Sequence, residues 1–240
     1  MQKTVRLFDL DSFACRFEAN VLSCAACEGG YSVILDKTLF FPEEGGQSCD
    51  TGRLGDARVF AVWEEQGVIY HTVDKALEIN VSVSGEIDFE ERFRKMQNHT
   101  AEHIVSGLIW QNFGLHNVGF HLSSDEMTAD FDGVLDQDQL ATIETLANRA
   151  IFECHTVNCS YPDADALAAM EYRSKLDLTE NVRIVEIEGV DKCACCAPHV
   201  RNTGEVGLVK FLQCEKYKGG IRVNILCGQR ALADYNAKDQ

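Results

Sequence analysis

The chain has 240 residues, 45% of them hydrophobic and 25% charged, which suits a globular protein with one large domain or two modest ones. Its formal net charge of −16 argues against a protein that coats nucleic acid by electrostatic attraction alone. No apolar run approaches the roughly 18 residues of a membrane span, and the N-terminus lacks the apolar core of a signal peptide. We therefore expect a cytoplasmic protein without a membrane partner, whose cysteines are thiols or metal ligands rather than disulfides.

Residues 1–88 are predicted to form a small β-barrel domain. Short runs with high β propensity alternate there with turn signals such as EGG and EEGG, and no convincing helical period appears. The runs are FACRFEANVL, YSVILDKTLFF, ARVFAVWEE, GVIYHTV and INVSVSGEI. This pattern favours a closed or curled sheet.

Residues 89–240 are predicted to form an α+β domain with helices packed on an antiparallel sheet. The run between Asp88 and Gly114 has a capping residue, a helical apolar period and a terminal glycine, and so predicts one long helix. A second helix is predicted after Asp136, and a shorter third within DADALAAMEYR. The run NVRIVEIEG, and two runs joined around Lys218-Gly219-Gly220, predict antiparallel strands.

Two pairs of potential metal ligands, each with a four-residue step, stand out in this second domain. His99 and His103 share one face of the predicted long helix, one turn apart. Cys195 and His199 lie much later, in the segment CACCAPHV. Three imidazoles and a thiolate suit zinc, cobalt or iron, and zinc is the usual ion at neutral pH. We predict one zinc ion per chain, bound by these four side chains.

Several interpretations of this ligand set remain open. Ligands from a helix and a loop, in a domain large enough to fold without metal, favour hydrolysis by a metal-bound water, whereas four filled positions favour a closed structural site. The pentapeptide HTAEH also matches the inverzincin protease pattern, with Glu102 as the general base. The nearby thiols of Cys193 and Cys196 are alternatives to Cys195.

Several segments follow one another in an order typical of a known family. TLFFPEEGGQSCDTG precedes GEIDFEERFRKMQNHTAEH, and CCAPHV leads into HVRNTGEVGLVKFLQCEKYKGGIRVNILCG. Together they resemble the editing domain of alanyl-tRNA synthetase and its free-standing AlaX-type relatives. The resemblance covers nearly the whole chain and corresponds to the medium-length AlaX form, which keeps the glycine-rich β-domain and lacks the synthetase core.

The resemblance implies hydrolysis of the ester bond of tRNA(Ala) mischarged with serine or glycine, with no obligatory protein partner. The four ligands match the family's metal positions. Thr38 matches a threonine associated with recognising the serine hydroxyl, and Gln47 a glutamine near the editing pocket. Both are therefore predicted catalytic-site residues, and with Gly45 and Gly46 they form the predicted substrate-binding segment. A non-catalytic homologue that binds tRNA or metal is the alternative.

Overall fold

Eight strands and the start of one helix lie in Met1–Arg94, the first of two compact units into which the chain divides. The computed structural model describes residues 2–123, 126–174 and 182–238. The strands of this unit are β1 (Val5–Arg6), β2 (Arg16–Cys27), β3 (Gly30–Leu35), β4 (Lys37–Thr38), β5 (Gly52–Leu54), β6 (Ala57–Glu65), β7 (Val68–Val73) and β8 (Ser82–Ile87). Six of them pair antiparallel in the closed order β2-β3-β7-β6-β5-β8, a barrel, while β1 pairs with β4 in parallel.

Alternation along the strands supplies the core of the first unit. Successive side chains of a strand point to opposite faces, so every second residue can be buried. In β6, Val59 and Val62 are buried while Phe60 and Trp63 are exposed, and a bulge between Val59 and Ala61 shifts the register between them.

Helix α1 (Phe89–Phe113) begins in the first unit and continues into the second, Lys95–Gln240. Asp88 accepts a hydrogen bond from the amide of Glu91 at 3.2 Å, and Gly114 follows the last turn with a φ of 68°. Both predicted ends of the helix are confirmed, since these are the usual start and stop devices of helices.

The second unit contains two antiparallel sheets and the remaining helices. Its elements are β9 (Asn117–Leu122), β10 (Met127–Phe131), α2 (Gln137–Phe152), β11 (Val157–Ser160), α3 (Ala164–Ala168), β12 (Ile184–Ile187), β13 (Asp191–Ala194), β14 (Val209–Tyr217), β15 (Gly220–Cys227) and α4 (Gly228–Lys238). One sheet has the order β14-β15-β10-β9, the other β11-β12-β13. Helix α2 packs on the first sheet, where Asn148 Nδ2 donates to the Val209 carbonyl at 2.8 Å. The predicted α+β class with antiparallel sheets is confirmed.

Several predicted elements have different bounds in the structure. Asp136 caps helix α2 as predicted, and the structure adds a reciprocal hydrogen bond from its backbone amide to the Gln139 side chain. Helix α3 is shorter than predicted because its C-terminal flank pairs with a strand: the Arg173 amide donates to the Lys192 carbonyl at 2.8 Å. The predicted strand NVRIVEIEG is reduced to β12, and its first residue, Asn181, lies outside the described residues. Within the described ranges, no helix has the length and apolarity to cross a membrane.

Candidate metal centre

Four side chains of the second unit converge on one point. They are His99, His103, Cys195 and His199, and their ligand atoms all lie within 4.8 Å of one another. Cys195 Sγ is 3.5 Å from His99 Nε2 and 3.4 Å from His199 Nε2. A tetrahedral ion with ordinary zinc–nitrogen and zinc–sulfur bonds separates its nitrogen and sulfur ligands by roughly 3.5 Å. The spacing therefore fits a single ion held by all four residues.

Hydrogen bonds from the Arg183 side chain to backbone carbonyl groups hold the loop after β13 in place. Arg183 Nη1 donates to the carbonyl oxygens of Cys195 at 2.9 Å and Ala197 at 2.8 Å. The Cys195 amide donates in turn to the Arg183 carbonyl at 3.0 Å. These bonds fix the backbone on both sides of the Cys195 thiol, whose sulfur faces helix α1.

Two of the imidazoles are oriented by partners on their far side. His103 Nδ1 lies 2.9 Å from Asp191 Oδ2, and His199 Nδ1 lies 3.0 Å from Thr100 Oγ1. Hydrogen bonding at Nδ1 leaves Nε2 to face the centre of the cluster. Metal-binding histidines usually have such a partner on the nitrogen that does not bind the ion.

The electrostatics of the cluster favour a thiolate. Burial raises the pKa of the Cys195 thiol, but the imidazoles around it, His99 first, hold that pKa well below its usual range. Burial lowers the pKa of His199 to about 3, so this ring is neutral. Burial also lowers the pKa of His103, yet the hydrogen bonds to Asp191 and Cys195 outweigh it and raise that pKa well above its usual range. A bound metal ion would displace the proton on Nε2 of His103.

A second cluster, His103 with Asp191 and Cys193, lies on the other side of the His103 ring. Both oxygens of Asp191 already accept hydrogen bonds from Arg173, at 2.7 and 2.8 Å. Burial raises the pKa of the Cys193 thiol to about 11, so it stays protonated. The Arg173 guanidinium already supplies the positive charge beside Asp191. This cluster is therefore better suited to holding the His103 ring than to binding a second metal ion. Of the three neighbouring thiols, only Cys195 belongs to the four-residue group.

Glu102 is buried beside the cluster rather than within it. Its Oε1 accepts hydrogen bonds from Ser106 Oγ at 2.6 Å and from Asn117 Nδ2, while Oε2 lies 4.0 Å from His103 Nε2. An inverzincin takes its third metal ligand from a carboxylate. The four-residue group has a thiolate and a third imidazole instead, which fits the inverzincin pattern poorly.

The predicted substrate-binding residues belong to the first unit, whereas the four candidate metal ligands belong to the second. Gly45 and Gly46 have φ values of 62° and 83°, and Glu44 and Gln47 exchange backbone hydrogen bonds of 3.2 and 3.0 Å across them. Two successive positive φ angles define the tight hairpin turn that favours glycine at both positions. Thr38 and the side chain of Gln47 are fully buried.

Sequence reasoning missed the residues that support the ligands. Thr100 and Asp191 orient imidazoles, and Arg173 and Arg183 brace the carboxylate and the loop. Asp191 precedes Cys195 by four residues. An acidic residue so close to a predicted metal ligand is the one sequence signal that could have indicated a supporting carboxylate. Arg173 carries no such signal, since pairing with β13 places it.

The geometry therefore defines a buried candidate metal centre with three imidazoles and one thiolate, built on a helix and a loop. Residues 182–224, which include that loop, match the family model described as threonyl and alanyl tRNA synthetase second additional domain. The chain is 34% identical over 229 residues to the alanyl-tRNA editing protein AlaX-M of Methanosarcina mazei, an alignment that covers 87% of this chain and 90% of that protein. The chain belongs to this family of AlaX-type alanyl-tRNA editing proteins.

The chain is also similar to part of a much larger class of protein. It is 35% identical over 240 residues to the alanine–tRNA ligase of Ignicoccus hospitalis, covering 95% of this chain and 26% of the ligase. It is 32% identical over 233 residues to the ligase of Methanococcus vannielii, covering 92% and 25%. The chain thus spans about a quarter of the length of these ligases.

Proposed function

We propose that this chain is a zinc-dependent hydrolase that removes serine or glycine from mischarged tRNA(Ala). The observation that carries the proposal is the convergence of three imidazoles and a thiolate in a chain whose relative is named an alanyl-tRNA editing protein. Ester hydrolysis at the end of a tRNA needs a polarised carbonyl and an activated water. A cytoplasmic location goes with this proposal, because the aminoacyl-tRNA pool is used there.

The proposed cofactor is one zinc ion per chain. Three imidazoles and a thiolate are a set that zinc accepts, and the sulfur–nitrogen distances of 3.5 and 3.4 Å suit its tetrahedral geometry. When bound, the ion would supply Lewis-acid chemistry to the ester or to water. Four protein ligands allow this if one ligand is displaced or if the coordination number rises to five.

The chain's own residues have distinct proposed roles around this chemistry. Thr38 and Gln47, with the turn at Gly45 and Gly46, are proposed to recognise the aminoacyl end of the tRNA. The β-domain, residues 1–88, would carry this recognition, and the editing domain, residues 89–240, would carry the metal. A site that hydrogen-bonds a substrate hydroxyl rejects an analogue without it strongly, because its own polar group is left unpaired.

The net charge of −16 is compatible with tRNA as the substrate. A protein that cuts one bond and releases its tRNA needs only a few phosphate contacts, and strong general attraction would slow release. Specificity would then come from the aminoacyl end of the tRNA rather than from its backbone charge.

The deciding experiment compares deacylation of Ser-tRNA(Ala), Gly-tRNA(Ala) and Ala-tRNA(Ala) by zinc-loaded protein, with and without a chelator. We expect hydrolysis of the seryl and glycyl substrates well above that of the alanyl substrate, lost on chelation and in Cys195→Ala. If zinc-loaded protein hydrolyses none of them, the chain is a non-catalytic metal- or tRNA-binding homologue. Proteolysis of an unfolded protein that Glu102→Gln abolishes would instead identify an inverzincin.

A further inference from the structure

We infer that Arg173 and Asp191 are positioning residues that hold the His103 ring in the orientation needed to bind the metal. The inference rests on the metal centre of the proposed function. Arg173 Nε and Nη2 donate to the two oxygens of Asp191 at 2.7 and 2.8 Å, and Asp191 Oδ2 lies 2.9 Å from His103 Nδ1. The three side chains thus form one continuous chain of hydrogen bonds that ends at a ligand.

Burial argues that this ion pair serves more than stability. Arg173, Asp191 and His103 are 9%, 6% and 2% exposed. Removing two charges from water costs several kcal/mol per ion, and a well-packed apolar pair is often as stable or more so. A buried pair that is aimed at a metal ligand is therefore better explained by the geometry that it imposes on that ligand.

The bidentate contact from Arg173 fixes the plane of the Asp191 carboxylate. A guanidinium donates two parallel hydrogen bonds, whereas an ammonium group is a point charge without this planarity. With both oxygens of Asp191 engaged by Arg173, the carboxylate cannot rotate freely or turn toward the ion. It must then accept the Nδ1 proton of His103, which leaves the Nε2 lone pair for the metal.

The backbone places all three residues by short connections. The Arg173 amide donates to the Lys192 carbonyl at 2.8 Å, and the Ala194 amide donates to the Arg173 carbonyl at 2.9 Å. These two bonds pair the Arg173 backbone with β13, the strand that carries Asp191. Helix α1 approaches the same strand at Gly107, one turn after His103. A Cβ atom at Gly107 would overlap the Val190 carbonyl and lie 2.7 Å from Asp191 Cβ.

The test measures zinc affinity by competition with a chromophoric chelator, and records the absorption spectrum of the cobalt(II) form. The variants are Arg173→Met, which keeps most of the side-chain volume, and Arg173→Lys, which keeps the charge but loses the planar fork. The control is Arg222→Met, because Arg222 makes a bidentate pair of similar distances with Asp130, at 2.6 and 2.8 Å, between β15 and β10, although this pair is more exposed than Arg173 and Asp191.

We expect Arg173→Met to weaken zinc binding by about 10- to 100-fold, the usual effect of removing an outer partner of a metal ligand. Its cobalt(II) spectrum should shift, and Arg173→Lys should recover part of the affinity. Arg222→Met should bind zinc as the wild type does. Wild-type affinity and an unchanged cobalt(II) spectrum in Arg173→Met would overturn the inference.

Two further outcomes keep this inference separate from folding and from the proposed function. If Arg173→Met does not fold, Arg173→Lys decides: weaker zinc binding by a protein whose metal-free melting temperature matches that of the wild type supports the positioning role, and wild-type binding overturns it. If the wild type binds zinc, depends on Arg173 for that affinity and still hydrolyses no aminoacyl-tRNA, the proposed function fails and the positioning role stands.

Discussion

The Thr38 hydroxyl oxygen lies 2.9 Å from Nε2 of His71 inside the first unit. His71 Nδ1 is 3.2 Å from the Val33 carbonyl, which can only accept, so Nδ1 carries the proton and Nε2 accepts from Thr38. The Thr38 oxygen also accepts the Phe40 amide at 3.1 Å. The hydroxyl thus donates its proton to His71, and its remaining lone pair can only accept a hydrogen bond.

The first prediction concerns this lone pair. Thr38→Val keeps the side-chain shape and removes the acceptor, so kcat/KM for Ser-tRNA(Ala) should fall by the equivalent of about 1–3 kcal/mol. Hydrolysis of Gly-tRNA(Ala), whose amino acid has no side-chain hydroxyl, should change far less. The control is Thr72→Val, a buried threonine on β7. Equal losses on both substrates would show that Thr38 supports the fold.

The second prediction concerns the pH dependence of stability. Burial lowers the pKa of His71 to about 4, despite a hydrogen bond to Val33 that raises it. In the unfolded chain the pKa of His71 is near 6.5, so between pH ~4 and ~6.5 the unfolded chain binds more protons than the folded chain, and stability falls as the pH falls. The stability that this lowered pKa contributes, about 3 kcal/mol, is present in full above pH ~6.5 and is lost by pH ~4.

Chemical denaturation from pH 7.5 to 3.5 measures this effect, with His71→Gln as the reference because it titrates no group at this position. The wild type should lose stability relative to His71→Gln as the pH falls through the window. Parallel curves for the two proteins would contradict the assignment of a neutral, buried His71.

The third prediction concerns the metal. Purified wild-type protein should carry close to one equivalent of zinc, and His103→Ala should lose most of it because a ligand is removed. The matched control is His121→Ala, an exposed histidine of β9, which should retain the zinc. Both variants should keep the circular dichroism of a folded protein, since the unit has its own apolar core. Full zinc retention in His103→Ala would show that this residue is not a ligand.

The fourth prediction concerns the contact between α1 and β13. Glycine-to-alanine changes inside helices usually stabilise, by about 0.5–1 kcal/mol. At Gly107 the added Cβ would meet the Val190 backbone, so we expect Gly107→Ala to destabilise the protein by about 1–3 kcal/mol and to weaken zinc binding. Denaturant melts and chelator competition measure the two effects. A stabilised variant would show that the helix and strand can separate without cost.

That His99 and His103 share one face could be predicted from the sequence because a four-residue step on a helix places two side chains one turn apart. Cys195 and His199 lie on a loop, where that step has no fixed geometry, and the structure brings them to the same point. The signals for the ends of α1 at Asp88 and Gly114 and for the cap of α2 at Asp136 were equally local, and the structure confirms them. Local patterns also favoured a hairpin around Lys218 and Gly219, whose φ values of 46° and 87° suit its tight turn.

Features that depend on tertiary pairing could not be predicted. Strands β9 and β10 gave no strong period-two signal; β10 is a strand because it pairs with β15, and β9 because it pairs with β10. Helix α3 stops early since the following segment pairs with β13 instead. The His71–Thr38 contact joins two strands whose side chains look like ordinary strand residues in isolation.

The two ligand pairs are far apart along the chain, so an ion bound by all four would act as a cross-link that closes a long loop. Without it, the segment from Cys195 to His199 is anchored by the Arg183 contacts and by the Val200 amide, which lies 3.4 Å from Thr100 Oγ1. Such an anchor opens more readily than one reinforced by metal bonds. Withdrawal of the ion should accordingly be felt first as faster amide hydrogen exchange at Cys195 and Val200, long before the protein unfolds as a whole.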